Sequence, residues 1–232
     1  MSAQQDVVYT ERRGSVGVIF LNRPKALNAW TGRMQTLCFN ALDKLEADPE
    51  VRVIVLTGNG RAFCAGADMS MLSGASSGDD DGNLAEGMGD RDVLYPTTIL
   101  KPVIAAVNGP VAGIGLSLAL ACDMRFAAHN AVFLGAFSRR GLVAEYGSSW
   151  TLPNLLGTGN AMMFMLSSDK YSGDDALQLG MVQRCFPAES LLDKTVEYAQ
   201  HLADKCSPVS MASMKLQVGA YAYVCTADWP VG

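Results

Sequence analysis

The chain predicts an α/β fold built on parallel strands buried on both faces. Three observations point there. The apolar runs at 16–21 (VGVIFL), 51–57 (VRVIVLT) and 103–107 (VIAAV) have strand length and little polar alternation, the pattern of strands covered on both sides. Strand, helix, strand, loop, strand and helix follow one another, which is the order of a layered fold with crossover connections. Glycine-rich loops follow two of the strands, GNGRAFCAGADM after Thr57 and NGPVAGIG after Val107. Ligands of open parallel sheets collect at the carboxyl ends of strands, where both loops lie.

Composition narrows the class. The 232 residues are 49% apolar and can bury one large core. A net charge of −5, with no basic cluster, argues against nucleic acid and an anionic membrane as partners. The six cysteines (38, 64, 122, 185, 206 and 225) show no CxxC pair or other metal-ligand spacing. They read as reduced, buried small hydrophobes of a cytoplasmic protein. No segment has the form of a signal peptide or the length of a membrane span. With His129 and His201 alone, a histidine-based metal site is not expected. The glycine loops lack dinucleotide spacing, and nothing calls for a nicotinamide, flavin or metal.

Taken in order, residues 7–13 read as an edge strand joined at Gly14 to the strand 16–21. The loop NRPKALNAW leads into a helix capped by Asn28 or Thr31. Met34, Leu37, Cys38, Ala41, Leu42 and Leu45 recur at helical spacing and give it a buried face, and Asp48-Pro49 ends it. Strand 51–57 and its glycine loop come next. Residues 73–92 (SGASSGDDDGNLAEGMGDRD) read as a mobile cover or a disordered connection.

Pro102 then opens the strand 103–107, where its missing N–H costs little. The segment 101–123 is the centre of the chain: strand, Asn-Gly-Pro turn, then an apolar helix with Gly113 and Gly115 at its mouth. A helix N-terminus with unpaired N–H groups suits an oxyanion or a bound anion. Close helix packing explains the same glycines equally well.

Residues 124–127 and 131–133 read as short strands, 160–167 as a methionine-rich helix of core or interface, and 171–179 as a helix with Asp174 and Asp175 in its first turn. Gly180 ends it. A return strand 181–186 and a helix striped by Leu192, Val196, Ala199 and Ala203 follow. The tail is helical from Pro208 to Lys215 and has no clear final element.

Glu145 is a lone acid among glycine, serine and apolar residues. It either finds a partner, with Arg139 and Arg140 nearest in sequence, or sits desolvated with a raised pKa. Ser117 reads as a helix-packing residue or water ligand, and His129 as a residue that caps or contacts a turn.

VGVIFLNRPKALNAW, VRVIVLTGNGRAFCAGADM, KPVIAAVNGPVAGIGLSLALACDMRFAA, GLVAEYGSSWTLPNLLG and DALQLGMVQRCFP resemble the crotonase superfamily of enoyl-CoA hydratases and isomerases, over about residues 7–215. The CAGAD and NGPVAGIG pair, in this order and separation, is the specific part. The resemblance implies a ββα spiral core over 1–190 holding an acyl-CoA site, and a helical C-terminal part over 191–232, incomplete or divergent. It implies a homotrimer or hexamer, with coenzyme A present only as part of the substrate.

By motif position, the backbone N–H groups of Ala67 and Ile114 would hold the thioester oxygen, where charge develops. Lys25, Ala26 and Leu27 would line the CoA entrance, with Lys25 near nucleotide phosphates. Ala65, Gly66 and Gly113 shape the pocket, Phe137 and Trp150 are pocket or core packing, and Asp68 holds its loop. The two glutamates that hydratases of the family use are Ser117 and Phe137 here. Glu145 falls where the peroxisomal-type Δ3,Δ2-enoyl-CoA isomerases carry their glutamate. Val143, Ala144 and Trp150 are expected to surround it with apolar contacts. The resemblance therefore implies a 3-enoyl-CoA to 2-enoyl-CoA isomerase with Glu145 as shuttle base. Alternatives are a hydratase, a dehalogenase or thioesterase with Glu145 as nucleophile, and a silent acyl-CoA-binding protein.

Overall fold

The computed structural model describes residues 6–68 and 91–227. The stretch 73–92 read as a cover lies outside them except for its last two residues. A six-stranded sheet forms the centre: β1 (Val8–Arg13), β2 (Val16–Leu21), β3 (Val53–Gly58), β4 (Val103–Val107), β6 (Met124–Ala128) and β9 (Arg184–Phe186), side by side in that order. β1 is the antiparallel edge and every later pairing is parallel. Every residue of β2, β3 and β4 is buried, so these strands carry no solvent face to alternate. A second, three-stranded sheet joins β5 (Val111–Ala112) to β7 (Val132–Leu134) and β8 (Lys170–Ser172).

Two helices cover the central sheet. α1 (Gly32–Ala47) starts where Thr31 Oγ1 accepts from the N–H of Met34, so Thr31 is the cap. It buries Met34, Cys38, Ala41, Leu42 and Leu45 against β1 and β2. α6 (Leu191–Lys205) lays Leu191, Thr195, Ala199 and Ala203, one per turn, across β2, β3, β4 and β6. Between them in sequence come α2 (Ile114–Ala121), α3 (Ser148–Leu156), α4 (Thr158–Ser167) and α5 (Gly173–Gln178). The chain closes with α7 (Pro208–Ala227). Helix α2 is buried at every residue.

Three local readings change. Tyr171 and Ser172 belong to β8, and α5 begins only at Gly173, because Ser172 and Asp175 form a reciprocal capping box there. The return strand shrinks to 184–186, since Met181 and Val182 bond back to the carbonyl of Ala176 and finish the helix. The tail does not stop at Lys215 but continues as α7 to Ala227. Helix α4 carries Met162, Met163 and Leu166 on an exposed side, burying only Ala161 and Phe164. Among the described residues no helix is long and apolar enough to cross a membrane.

Candidate active site

The site is assembled where the loops after β3 and β4 meet. Gly58 and Gly109 permit that meeting: a Cβ on Gly58 would lie 2.0 Å from the carbonyl oxygen of Ala62, and one on Gly109 2.1 Å from that of Arg61. Two asparagines stitch the loops together. Asn108 accepts from the N–H of Gly58 (3.1 Å) and donates to the carbonyl of Gly60 (2.9 Å). Asn28, buried and at φ +54, donates to the carbonyls of Asn59 and Ala62 and accepts from the N–H of Arg23. It therefore braces the loop rather than capping α1; asparagine tolerates the left-handed region that this needs.

Beyond Ala62 the chain runs beside β5. The N–H of Cys64 donates to the carbonyl of Pro110 and the N–H of Ala112 donates to that of Cys64. On its other side Ala67 is bridged to Trp30, with Trp30 N–H bonding Gly66 and Asp68 N–H bonding Trp30. The bonds to Trp30 are made by Gly66 and Asp68, on either side of Ala67, and in an extended chain the N–H of the residue between them faces the other way. The Ala67 amide is thus turned away from Trp30. Gly66 (φ +115) and Gly113 (φ +51) sit against each other, a Cβ on Gly113 falling 4.0 Å from the Gly66 Cα. Ile114 follows Gly113 as the first residue of α2, where backbone N–H groups have no acceptor within the helix. Among the described residues, neither the Ala67 nor the Ile114 amide donates to a protein acceptor.

Asp68 anchors this arrangement. Its carboxylate accepts from Arg23 Nη1 (2.9 Å), which also donates to the carbonyl of Ala29 (2.6 Å), in a pair about four-fifths shielded from solvent. Arg23 was not legible as a partner, since 45 residues separate the two. At the rim, Lys25 and Ala26 are exposed in a single 3₁₀ turn and Leu27 sits at φ +52. Ala65 is half-buried, its N–H bonded to the carbonyl of Leu27.

Helix α2 brings Ser117 into the interior, 1% exposed, with its Oγ 3.2 Å from Ser148 Oγ. Phe137 is 4% exposed, its ring against Gly135. No carboxylate stands at either position. Glu145 lies in the turn before α3, and its carbonyl accepts from the N–H of Ser148. Its side chain is exposed. The ion pair with Arg139 or Arg140 does not form: Arg139 pairs with Asp169 (2.6 Å), and among the described residues no cation pairs with Glu145. Among the described residues the expected apolar enclosure of Glu145 does not form. Val143 is 77% and Trp150 43% exposed, because the turn projects them outward. Tyr146 is the neighbour that is drawn in; burial pushes its phenol upward, and the Glu145 charge adds to this.

His129, Asp174 and Cys185 also come together. His129 Nδ1 lies 2.6 Å from Asp174 Oδ1, and Cys185 donates to the carbonyl of Gly173. His129 thus contacts the first turn of α5. The Cys185 bond goes to the backbone rather than to His129 or Asp174, and burial pushes its thiol up to about 11.

A family model for enoyl-CoA hydratase/isomerase matches residues 11–222. The chain belongs to the enoyl-CoA hydratase/isomerase family. Relatives of this crotonase group span both reactions. A 1,2-epoxyphenylacetyl-CoA isomerase from Escherichia coli is 37% identical, covering 81% of this chain and 72% of that protein. A mitochondrial enoyl-CoA hydratase from Pongo abelii is 37% identical, over 94% of this chain and 74% of that one. The crystal structure of an enoyl-CoA hydratase from Mycobacterium marinum matches at a TM-score of 0.78 and 44% identity, covering 92% of this chain and 97% of that chain. This member of the family is an enzyme that processes acyl-CoA thioesters on the crotonase fold.

Proposed function

We propose that this enzyme moves the double bond of a 3-enoyl-CoA to the 2 position, with Glu145 as the single shuttle base. The thioester oxygen would accept from the amides of Ala67 and Ile114. Glu145 removes a proton from the α carbon, so that the C–H electron pair enters a dienolate whose charge rests on that oxygen. The protonated Glu145 then returns the proton to the γ carbon and is left as a carboxylate. One carboxylate suffices for this sequence, and two unspent amides aimed at a developing oxyanion are worth several kcal/mol of barrier. Lys25, Ala26 and Leu27 are proposed for the CoA entrance, with Ala65, Gly66 and Gly113 shaping the thioester pocket and Trp150 at its rim.

The observation that carries the reading is the absence of a carboxylate at 117 and 137, both buried, while among the described residues no cation pairs with Glu145. Water addition in its two-glutamate form lacks its parts. Hydratase activity keeps support from the relatives that bear that name. Supplying the pure enzyme with a 3-enoyl-CoA and, in parallel, a 2-enoyl-CoA separates the two. Conjugation of the first with little water addition to the second is expected; the reverse preference would overturn the proposal.

The same reading includes a cytoplasmic homotrimer or hexamer. The exposed apolar side chains Val209, Met214, Leu216 and Val218 on α7 support an association surface.

A further inference from the structure

The turn that carries Glu145 has no side-chain cap of its own. Tyr146 and Gly147 are both left-handed (φ +49 and +70), and Gly147, as the residue that opens α3, offers no side chain to cap it. Backbone in this region is kept only where its surroundings hold it. Tyr146 packs against the core, and the polar contact that holds the turn is the hydroxyl pair Ser117 and Ser148, both 1% exposed and 3.2 Å apart. Ser117 Oγ also lies 3.4 Å from the carbonyl of Gly113, to which its own N–H donates at 3.1 Å. One order satisfies both protons: Ser148 donates to Ser117, and Ser117 donates to Gly113. The result is an unbroken path. The Glu145 carbonyl accepts from Ser148 N–H, Ser148 Oγ donates to Ser117 Oγ, and Ser117 Oγ donates to the carbonyl of Gly113, the residue before Ile114.

We infer that the Ser117–Ser148 hydroxyl pair fixes the backbone from which the Glu145 carboxylate extends relative to the Ile114 amide, making both serines positioning residues for the proton transfer. The inference rests on Glu145 being the base. A shuttle base must reach two carbons of one bound acyl chain and keep its proton between them. A carboxylate that drifts toward solvent trades that proton with water before delivering it. In the same place, family hydratases would need a carboxylate; here the space is spent on a bond that steadies the other side of the site.

The test is conjugation of a 3-enoyl-CoA in D2O by the wild type, Ser117→Ala, Ser148→Ala, Ser148→Thr and Glu145→Gln. Each alanine variant should lower kcat about tenfold, a misplacement effect, while KM stays within about twofold. Each should raise the deuterium content at the γ carbon of the product above that of the wild type. The double alanine variant should be no worse than either single one, and Ser148→Thr, which keeps the hydroxyl, should recover most of the rate. Because the two alanine variants remove one bond from opposite ends, either reads it if the other fails to fold. Wild-type rates in both, or slower turnover with unchanged deuterium content, would overturn the inference. If Glu145→Gln is silent and the serine variants are normal, only the inference fails. If Glu145→Gln retains full rate, the base lies elsewhere and both fail together.

Discussion

A Cβ placed on Gly115 would lie 2.3 Å from the carbonyl oxygen of Cys64 and 2.7 Å from its Cβ and Sγ. The second residue of α2 thus rests directly on the segment that leads to Ala67, and the spacing of the two candidate oxyanion amides is set by that contact. Gly115→Ala should force the helix back, at a cost of about 1–3 kcal/mol in urea unfolding. It should lower kcat more than it raises KM. Gly159→Ala, in α4 with nothing within 4 Å, is the control, and should gain up to about 1 kcal/mol without touching turnover.

Arg23 and Asp68 predict a second measurement. The guanidinium holds both a carboxylate and the carbonyl of Ala29. Arg23→Met should therefore cost about 1.5–3 kcal/mol, the range for hydrogen bonds to charged groups. Arg23→Lys should recover only part of it, since a point charge cannot copy the fork. Equal stability of all three proteins would show that the pair is not what ties this loop down.

Thiol chemistry tests the packing around the site. Cys38, Cys64 and Cys122 are free and buried. Burial pushes the thiols of Cys64 and Cys122 up to about 12, and that of Cys38 further the same way. A raised thiol pKa keeps the neutral, unreactive form as pH climbs through the ordinary thiol range. Maleimide labelling of the native protein in mildly alkaline buffer, read by peptide mass, should therefore spare these three. Denaturation should open all six cysteines. Labelling of Cys64 in the native state would contradict the tight seat of α2.

The central sheet was legible because its strands announce themselves: an all-apolar run such as VIAAV has no stable home except between two layers. The glycine pair 66 and 113 was legible too, since both lie in loops at strand ends. What escaped are contacts set by distance in space. Neither Arg23 with Asp68 nor Ser117 with Ser148 has a local signature, and polar partners so far apart in sequence meet only once the sheet is built. The surroundings of Glu145 were misjudged for a related reason. Val143 and Trp150 are apolar by type, but the two left-handed residues that follow Glu145 turn this segment outward, and periodicity does not register a turn of that kind. Asp174 and Asp175 suit a first turn and extend the expected helix back to Tyr171, while the cap that places its start is Ser172.

The central claim is that Glu145 alone moves the proton while the Ala67 and Ile114 amides hold the charge. The most direct measurement is the conjugation rate of a saturating 3-enoyl-CoA with Glu145→Gln beside the wild type. A fall of about 100-fold or more, with acyl-CoA binding retained, is expected for loss of a positioned base. Wild-type turnover by Glu145→Gln would contradict the account.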